Sequence, residues 1–296
     1  MGRRGGPCRD TRGHYTVIMI LSSASPTLAP GGGLLLAGVA LLLYLLAALP
    51  LAALQRFSAA ALLGGWALHA VLLVIDIAGI GLPQPGARLG FAPVLSITVW
   101  LVIAVYVVES RFAPLLTVRR GLAVAGALAV GVMAAFPGEP KAITSALAPI
   151  HFVLGVSAYG LFGAAVLHAL MLDAAERRLR AGGPRLQPLG SGAMGMPLLQ
   201  LERVTFHFVE AGFAVLTATL VLGVANTVQW RWTDHKAVFS LLAWTVFAAL
   251  LLGRHLRGWR GRRATRWLYA GALLLLLAYA GSRFVVEVLL ARGAGA

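Results

Sequence analysis

Apolar residues in this chain come in long stretches that are separated by short segments rich in arginine, glycine and proline. Each stretch has about the length that an α-helix needs to cross roughly 30 Å of hydrocarbon. The pattern therefore predicts an all-α polytopic membrane protein, a helix bundle with about eight transmembrane helices. We place these helices at residues 33–54, 59–81, 92–109, 120–136, 146–172, 204–226, 237–253 and 267–290.

The same pattern predicts one transmembrane domain over residues 33–292 and an N-terminal extension at 1–32. The extension holds arginines among glycines and polar residues, and it lacks an apolar run long enough for a signal peptide. We expect it to be disordered, or to lie largely upstream of a natural start at Met19. The longest connection, 173–203, predicts a short amphipathic helical extension followed by a loop with glycine and proline.

Composition supports a membrane protein, since 59% of the residues are hydrophobic and 12% are charged, about half the charged fraction of soluble proteins. The net charge of +15 comes from lysines and arginines that concentrate in alternate loops. That distribution is typical of membrane topology, and it argues against a nucleic-acid partner. The positive-inside rule places the loops after helices 1, 3, 5 and 7 in the cytoplasm, so both termini and the loop at 230–236 face outward.

The chain contains one cysteine, Cys8, which excludes an internal disulfide, a Cys-x-x-Cys pair and a covalent heme-attachment motif. Any metal or cofactor would therefore be held by histidines, carboxylates or backbone atoms. No spaced Ser–His or metalloprotease motif indicates a hydrolase. We therefore expect a protein without catalysis of its own.

Polar residues inside the predicted spans are the first functional candidates, because an ionisable group there costs roughly 2.5–3.5 kcal/mol on insertion scales. Helix 2 carries Trp66, His69 and Asp76, which fall on one stripe at about 100° per residue. Two interpretations of His69 stay open, a metal ligand or a buried histidine that is hydrogen-bonded within the bundle. Asp76 lies near the outer end of its helix, where a helix-end carboxylate is the usual interpretation.

Helix 5 places His151 at its outer start, on the same side as the aromatic loop, and His168 near the cytoplasmic boundary. We expect His168 to be an interfacial residue. Helix 6 carries Arg203, His207 and Glu210 on one face. The last two have the His-x-x-Glu spacing of half a di-iron site, but the spans hold too few carboxylates for the other half. We therefore expect a polar cluster between helices there.

The loop at 230–236 reads Trp-Arg-Trp-Thr-Asp-His-Lys between two long apolar helices. Indole rings supply flat stacking surfaces and neutral imidazoles supply axial ligands, which a planar iron porphyrin such as heme requires. Tryptophans are also common in the aromatic belts at membrane surfaces. The loop itself leaves both interpretations open.

Three segments, at 207–244, 258–263 and 278–283, together resemble the YpjD-type inner-membrane proteins. These are a branch of the CcsA-like cytochrome c assembly family, whose members handle heme. The resemblance extends over roughly 35–290 and is closest around 234–238. It implies an eight-helix protein of the bacterial inner membrane that binds heme and acts beside other cytochrome assembly proteins.

The resemblance also implies site residues by matching positions. Heme is expected to contact His69, His151, Trp230, Trp232, Asp234 and His255. Of these, His69 and His151 are the expected ligands of the heme iron. The second outer histidine of the family has no counterpart at the end of helix 8, so we assign His235 in its place.

The leading hypothesis is therefore an accessory, non-catalytic heme-handling protein in cytochrome c assembly. The alternative is a membrane carrier or channel for a small solute, with Asp76, Glu210 and Arg283 along its pathway. An electron-transfer cytochrome ranks lower, because His151 and His168 are 17 positions apart and fall about 100° off one helix face.

Overall fold

A computed structural model describes residues 32–80, 87–88, 90–111, 115–137, 140–141, 147–180, 198–226, 235–281 and 284–285. These residues form eight α-helices, which confirms the all-α prediction. In chain order the helices are α1 Gly32–Ala48, α2 Ser58–Ile77, α3 Phe91–Glu109, α4 Leu116–Ala135, α5 Ala148–Arg180, α6 Leu198–Asn226, α7 His235–Arg257 and α8 Gly261–Leu276. Two short strands, β1 Ala87–Arg88 and β2 Pro140–Lys141, pair antiparallel.

Seven of the described helices are long and apolar enough to cross a membrane. The eighth, α1, is apolar throughout its 17 residues but is too short to be counted with them. α8 is counted together with the segment that continues it to Gly281. The predicted polytopic membrane helix bundle is thereby confirmed. The predictions for the extension before residue 32 and for a start at Met19 concern residues outside the described part of the chain.

Several helices extend beyond the predicted ends, because arginine and glutamate residues continue them past the apolar stretches. α5 continues past the apolar stretch to Arg180, which confirms the short helical extension predicted after residue 172. α8 begins at Gly261 rather than at 267. Hydropathy detects the part of a helix that lies in hydrocarbon. Long charged side chains reach the headgroup region, so the helix itself continues with its backbone hydrogen bonds intact.

Two helix ends depart from prediction for backbone reasons. α1 ends at Ala48, shortly before Pro50, and a 3-10 helix at Ala52–Phe57 leads into α2. Proline has no N–H to donate and disfavours a helical residue before it, which explains an end before residue 54. α8 changes into a π-helical segment at Leu277–Gly281.

Tyr44 of α1 organises the first four helices. Its side chain is fully buried, and its ring packs against Gly65 of α2 and Gly126 of α4. Its hydroxyl bonds to His69 of α2. The two glycines let the aromatic ring approach both helix backbones closely, which is a common way to pack helices in membranes.

The last four helices have a corresponding centre that is apolar. Phe162 of α5 stacks on Phe247 of α7 with ring centroids 3.8 Å apart. Phe162 lies against Gly212 of α6, and Phe247 lies against Gly271 of α8. One pair of rings therefore contacts all four helices. The two groups of helices meet where α5 packs on α3.

We predict that Gly126→Ala destabilises the protein, because a methyl group there would lie 2.7 Å from ring atoms of Tyr44. The expected loss is about 1–3 kcal/mol, typical of overpacking, measured by thermal unfolding in detergent. The control is Gly121→Ala on the same helix, where no neighbouring atom lies within 4 Å. That substitution should be neutral or stabilising, because alanine is the better helix former. Equal losses in the two variants would contradict the packing described.

Candidate functional site

His69 lies inside the bundle and has hydrogen-bond partners on both sides. Its side chain is fully buried on α2. The Nδ1 atom is 3.1 Å from the hydroxyl of Tyr44, and Nε2 is 2.7 Å from the hydroxyl of Ser96 on α3. Hydroxyls can donate or accept, so a neutral imidazole is satisfied in either tautomer. Both ring nitrogens are thus occupied, and binding iron through Nε2 would require exchange of the Ser96 bond.

Of the other two members of the α2 stripe, Trp66 is bonded, and Asp76 is bonded through Oδ1 while its buried Oδ2 makes no hydrogen bond. Trp66 stacks on Trp100 of α3, and each indole N–H donates to the backbone carbonyl of the other tryptophan. Asp76 is buried near the end of α2 and accepts a bond from Arg88 of strand β1 at 3.2 Å. Asp76 is therefore a helix-end carboxylate, as predicted, and it joins the short pair of strands to the bundle.

His151 differs from His69 because one of its nitrogens lacks a partner. It lies half-buried in the first turn of α5, and its Nδ1 is buried without a hydrogen bond. Its ring packs against Gly223 of α6, where a Cβ atom would lie 3.1 Å from Cε1. Gly223 is close to the end of α6, which leads into the tryptophan-containing loop. A buried polar atom without a partner is unusual in a native structure and marks a functional candidate.

Only the end of the aromatic loop falls within the described residues. Trp230, Trp232 and Asp234 lie outside them, so their predicted roles stay predictions. His235 is the exposed first residue of α7. The next residue, Lys236, places its ammonium 5.9 Å from the ring centre of Tyr279 in the π-helical segment. α6 runs antiparallel to α5 and to α7, since His151 lies against Gly223 near the end of α6 and Arg254 near the end of α7 pairs with Glu202 near the start of α6. His151 and His235 therefore lie at the same end of the bundle.

His255 lies at the opposite end, in the last turn of α7. It is exposed, and its Nδ1 donates to the carbonyl of Leu251. The predicted heme contacts that the structure describes thus lie at three different levels along the bundle. His151 and His235 share one end, His69 is in the interior of the first helix group, and His255 is at the other end.

His168 is a buried residue, so the expectation that it is interfacial is wrong. Its side chain has no exposed area; Nδ1 bonds the carbonyl of Ala164 at 2.8 Å, and Nε2 bonds Glu109 of α3 at 3.0 Å. A carbonyl only accepts, so Nδ1 donates to Ala164. The pair of His168 and Glu109 joins the two helix groups. The small residues Ala164 and Ala165 near His168 were the sequence feature that could have indicated its burial.

The expectation of a polar cluster between helices at the start of α6 is also wrong. His207 and Glu210 are exposed on the side of the bundle, with 68% and 42% of their side chains accessible, and they pair with each other at 3.5 Å. Arg203 is exposed as well. The described residues contain no group of three or more His, Cys, Asp or Glu that could hold a metal ion.

A comparison that covers nearly the whole chain identifies the family to which the protein belongs. Residues 34–290 match the family described as Cytochrome C assembly protein. The chain belongs to this cytochrome c assembly family. The resemblance found in the sequence is therefore confirmed, and membership supports involvement in cytochrome c biogenesis.

Individual relatives match parts of this cytochrome c assembly family member. The "Inner membrane protein YpjD" of Escherichia coli (strain K12) is 36% identical over 143 residues, 47% of this chain and 52% of the relative. An "Uncharacterized 28.8 kDa protein" of Azospirillum brasilense is 34% identical over 149 residues, 48% of this chain and 52% of the relative. A "Cytochrome c biogenesis protein CcsA" of Prochlorococcus marinus (strain MIT 9303) is 36% identical over 87 residues, 28% and 27% of the two chains.

The chain thus spans about half the length of the first curated relatives that it matches. No solved structure matches it.

We predict that His69→Ala destabilises the heme-free protein, because it leaves the hydroxyls of Tyr44 and Ser96 buried without their shared partner. The expected loss is about 1–3 kcal/mol, read from thermal unfolding in detergent. His255→Ala removes an exposed histidine and should change stability little. If His69→Ala unfolds at the same temperature as that control, His69 does not hold the helices together.

Proposed function

We propose that this chain is an accessory, non-catalytic heme-handling protein of the bacterial inner membrane that takes part in cytochrome c assembly. Family membership supports this proposal, as do relatives named an inner membrane protein and a cytochrome c biogenesis protein. The proposed partners are the lipid bilayer, heme and other cytochrome assembly proteins.

The observation that carries the proposal is the buried Nδ1 of His151, which makes no hydrogen bond. Burying an imidazole nitrogen without a hydrogen-bond partner costs roughly 1–3 kcal/mol of folding free energy. The position of this Nδ1 therefore indicates that it binds a ligand or a partner. His151 packs on Gly223, near the point where α6 leads to Trp230 and Trp232. His151 is therefore the described residue on which the proposed heme site rests.

The proposed roles follow from these positions. When bound, heme supplies an iron whose axial positions accept neutral imidazole. His151 would be an axial ligand, and His235, at the same end of the bundle, would be the second candidate. Trp230 and Trp232 would offer flat surfaces to the porphyrin, with Asp234 beside them.

The interior and opposite-end histidines have different places in the proposal. His69 would serve as an iron ligand only after its bond to Ser96 is exchanged, so in the described arrangement it holds α1, α2 and α3 together. His255 would contact a group bound at the other end of the bundle. It would not share the iron bound by His151.

The carrier alternative finds less support among the described residues. Asp76 is bonded to Arg88 in the first helix group, whereas Glu210 is exposed on the side of α6. The two carboxylates therefore do not line a common pathway. Arg283 lies outside the described residues.

We predict that His151→Ala lowers heme affinity by about tenfold or more. Even the outer partners of metal-ligating histidines contribute that much, so a lost ligand should contribute at least as much. The measurement is a titration of detergent-purified protein with hemin, read from the Soret absorbance with and without reductant.

His207→Ala is the matched control, because it removes an exposed histidine that pairs with Glu210. Its spectrum should equal that of the wild type. An unchanged spectrum in His151→Ala would exclude His151 as the ligand. A wild-type protein that leaves the Soret band of added hemin the same as that of hemin in detergent alone would exclude heme handling itself.

The proposed topology places both termini outside the cytoplasm, because arginines concentrate at the end formed by the C-termini of α5 and α7. We predict that alkaline phosphatase, which is active only outside the cytoplasm, is active when fused at the C-terminus. The same enzyme inserted in the connection at 181–197 should be inactive. The reverse pattern would show that the chain is inserted with the opposite orientation.

A further inference from the structure

One end of the bundle carries a dense set of arginines, formed by the C-termini of α5 and α7 and the N-termini of α6 and α8. Contacts between these helices show that they end at the same level. Arg254 of α7 pairs with Glu202 of α6, and Thr265 of α8 bonds Asp173 of α5. We name this surface the basic end. Its exposed arginines are Arg177, Arg178, Arg180, Arg203, Arg257, Arg260, Arg262, Arg263 and Arg266.

The carboxylates of Asp173, Glu176 and Glu202 offset only part of this charge, because the exposed arginines outnumber them. Asp173 accepts bonds from Thr265 and Tyr269. Glu202 is paired with Arg254, and Glu176 is paired with Arg180. The surface therefore keeps a strong positive charge.

A depression of about 550 Å³ lies on this surface, between the end of α7 and the start of α8. It is lined by Arg254, His255, Gly258 and Arg260. Gly258 has a φ of 64°, a left-handed conformation that allows the tight turn between the helices. Because glycine has no side chain, the floor of the depression stays open.

The backbone around the depression comes from the end of α7 and the start of α8. The carbonyl of Leu251 accepts a bond from Nδ1 of His255, and the carbonyls of Gly253 and Arg254 accept bonds from the N–H groups of Trp259 and Gly258. α8 starts immediately afterwards, and its N-cap residue Arg260 makes no side-chain capping bond. The Oε1 atom of Glu176 lies beside Gly261 at the start of α8 and offsets the positive end of its dipole. The arginine side chains are therefore the groups at the depression that favour an anion.

Contacts within the protein fix the side chains of Arg254 and Arg263 before any ligand binds. Arg254 is held by Glu202 and lies 3.6 Å from the ring centre of Phe206. Arg263 lies 4.2 Å from the ring centre of Trp259, which in turn packs against Trp267. Tryptophans beside arginines are typical of the level at which lipid headgroups lie.

An apolar surface adjoins the depression. Leu252 and Leu256 lie one turn apart on α7, with 59% and 79% of their areas exposed. A ligand that spans both surfaces would place a negative headgroup on the arginines and a hydrocarbon chain along these leucines. A free inorganic anion would use only the first.

We propose that this depression is a binding site for the phosphate headgroup of an anionic membrane phospholipid, whose acyl chain lies along Leu252 and Leu256. Basic pockets at the cytoplasmic ends of transmembrane helices bind such headgroups by the same combination of charge and shape. The site lies at the opposite end from His151 and does not depend on heme binding.

The test uses delipidated, heme-free protein in detergent, titrated with phosphatidylglycerol and with phosphatidylcholine of the same chain length. Bound lipid is counted by native mass spectrometry. The wild type should prefer phosphatidylglycerol. Arg260→Gln should weaken its binding about tenfold, the effect of losing one hydrogen bond between charged groups. Arg178→Gln makes the same charge change outside the depression and should weaken binding less than about twofold.

A second variant separates a lipid from a free anion. Leu256→Asn should also weaken phosphatidylglycerol binding, whereas it leaves the arginines unchanged. Inorganic phosphate, used as a competitor, should displace the lipid poorly from the wild type. Equal losses of phosphatidylglycerol binding in Arg260→Gln and Arg178→Gln would show that binding depends on the overall charge of the basic end and not on the proposed site. Equal binding of the two lipids, or efficient displacement by inorganic phosphate, would also overturn the proposal.

Discussion

The structure depends on one constraint, that polar groups inside hydrocarbon must find their partners within the protein because no water is available there. The set Tyr44, His69 and Ser96 meets this constraint. One imidazole accepts or donates on both sides and so joins three helices, while the ring of Tyr44 packs on a fourth. Without these bonds, three buried polar groups would oppose association of α1, α2 and α3. The same group that is costly to bury therefore specifies how the helices pair.

The two helix groups solve the packing problem differently, and this difference separates structural from functional candidates. The second group is centred on the stacked rings of Phe162 and Phe247 and needs no interior polar set there. The His168–Glu109 bond then links the groups. Both interior histidines therefore use their ring nitrogens in hydrogen bonds that hold helices together. His151 lies at the rim between α5 and α6, and its buried Nδ1 makes no hydrogen bond that would hold a helix.

The sequence predicted the helix content, the membrane class and the family, because each follows from long apolar stretches or from local motifs. It also indicated that His69 and Asp76 lie on one stripe of helix 2. It failed for His168 and for His207, whose environments depend on neighbouring helices. His168 is buried because α3 presents Glu109 to it, and His207 is exposed because no helix covers that side of α6 within the described residues. Such partners are distant in sequence, so helix periodicity alone does not identify them.

The Trp66–Trp100 pair gives the protein an intrinsic optical signal. The two indoles are 5.0 Å apart and almost parallel, and reciprocal bonds to the facing carbonyls fix their orientation. Chromophores in this arrangement couple their electronic transitions, so the circular dichroism of the folded chain contains a contribution that isolated tryptophans lack. That contribution reports whether α2 and α3 remain in register, without any added label.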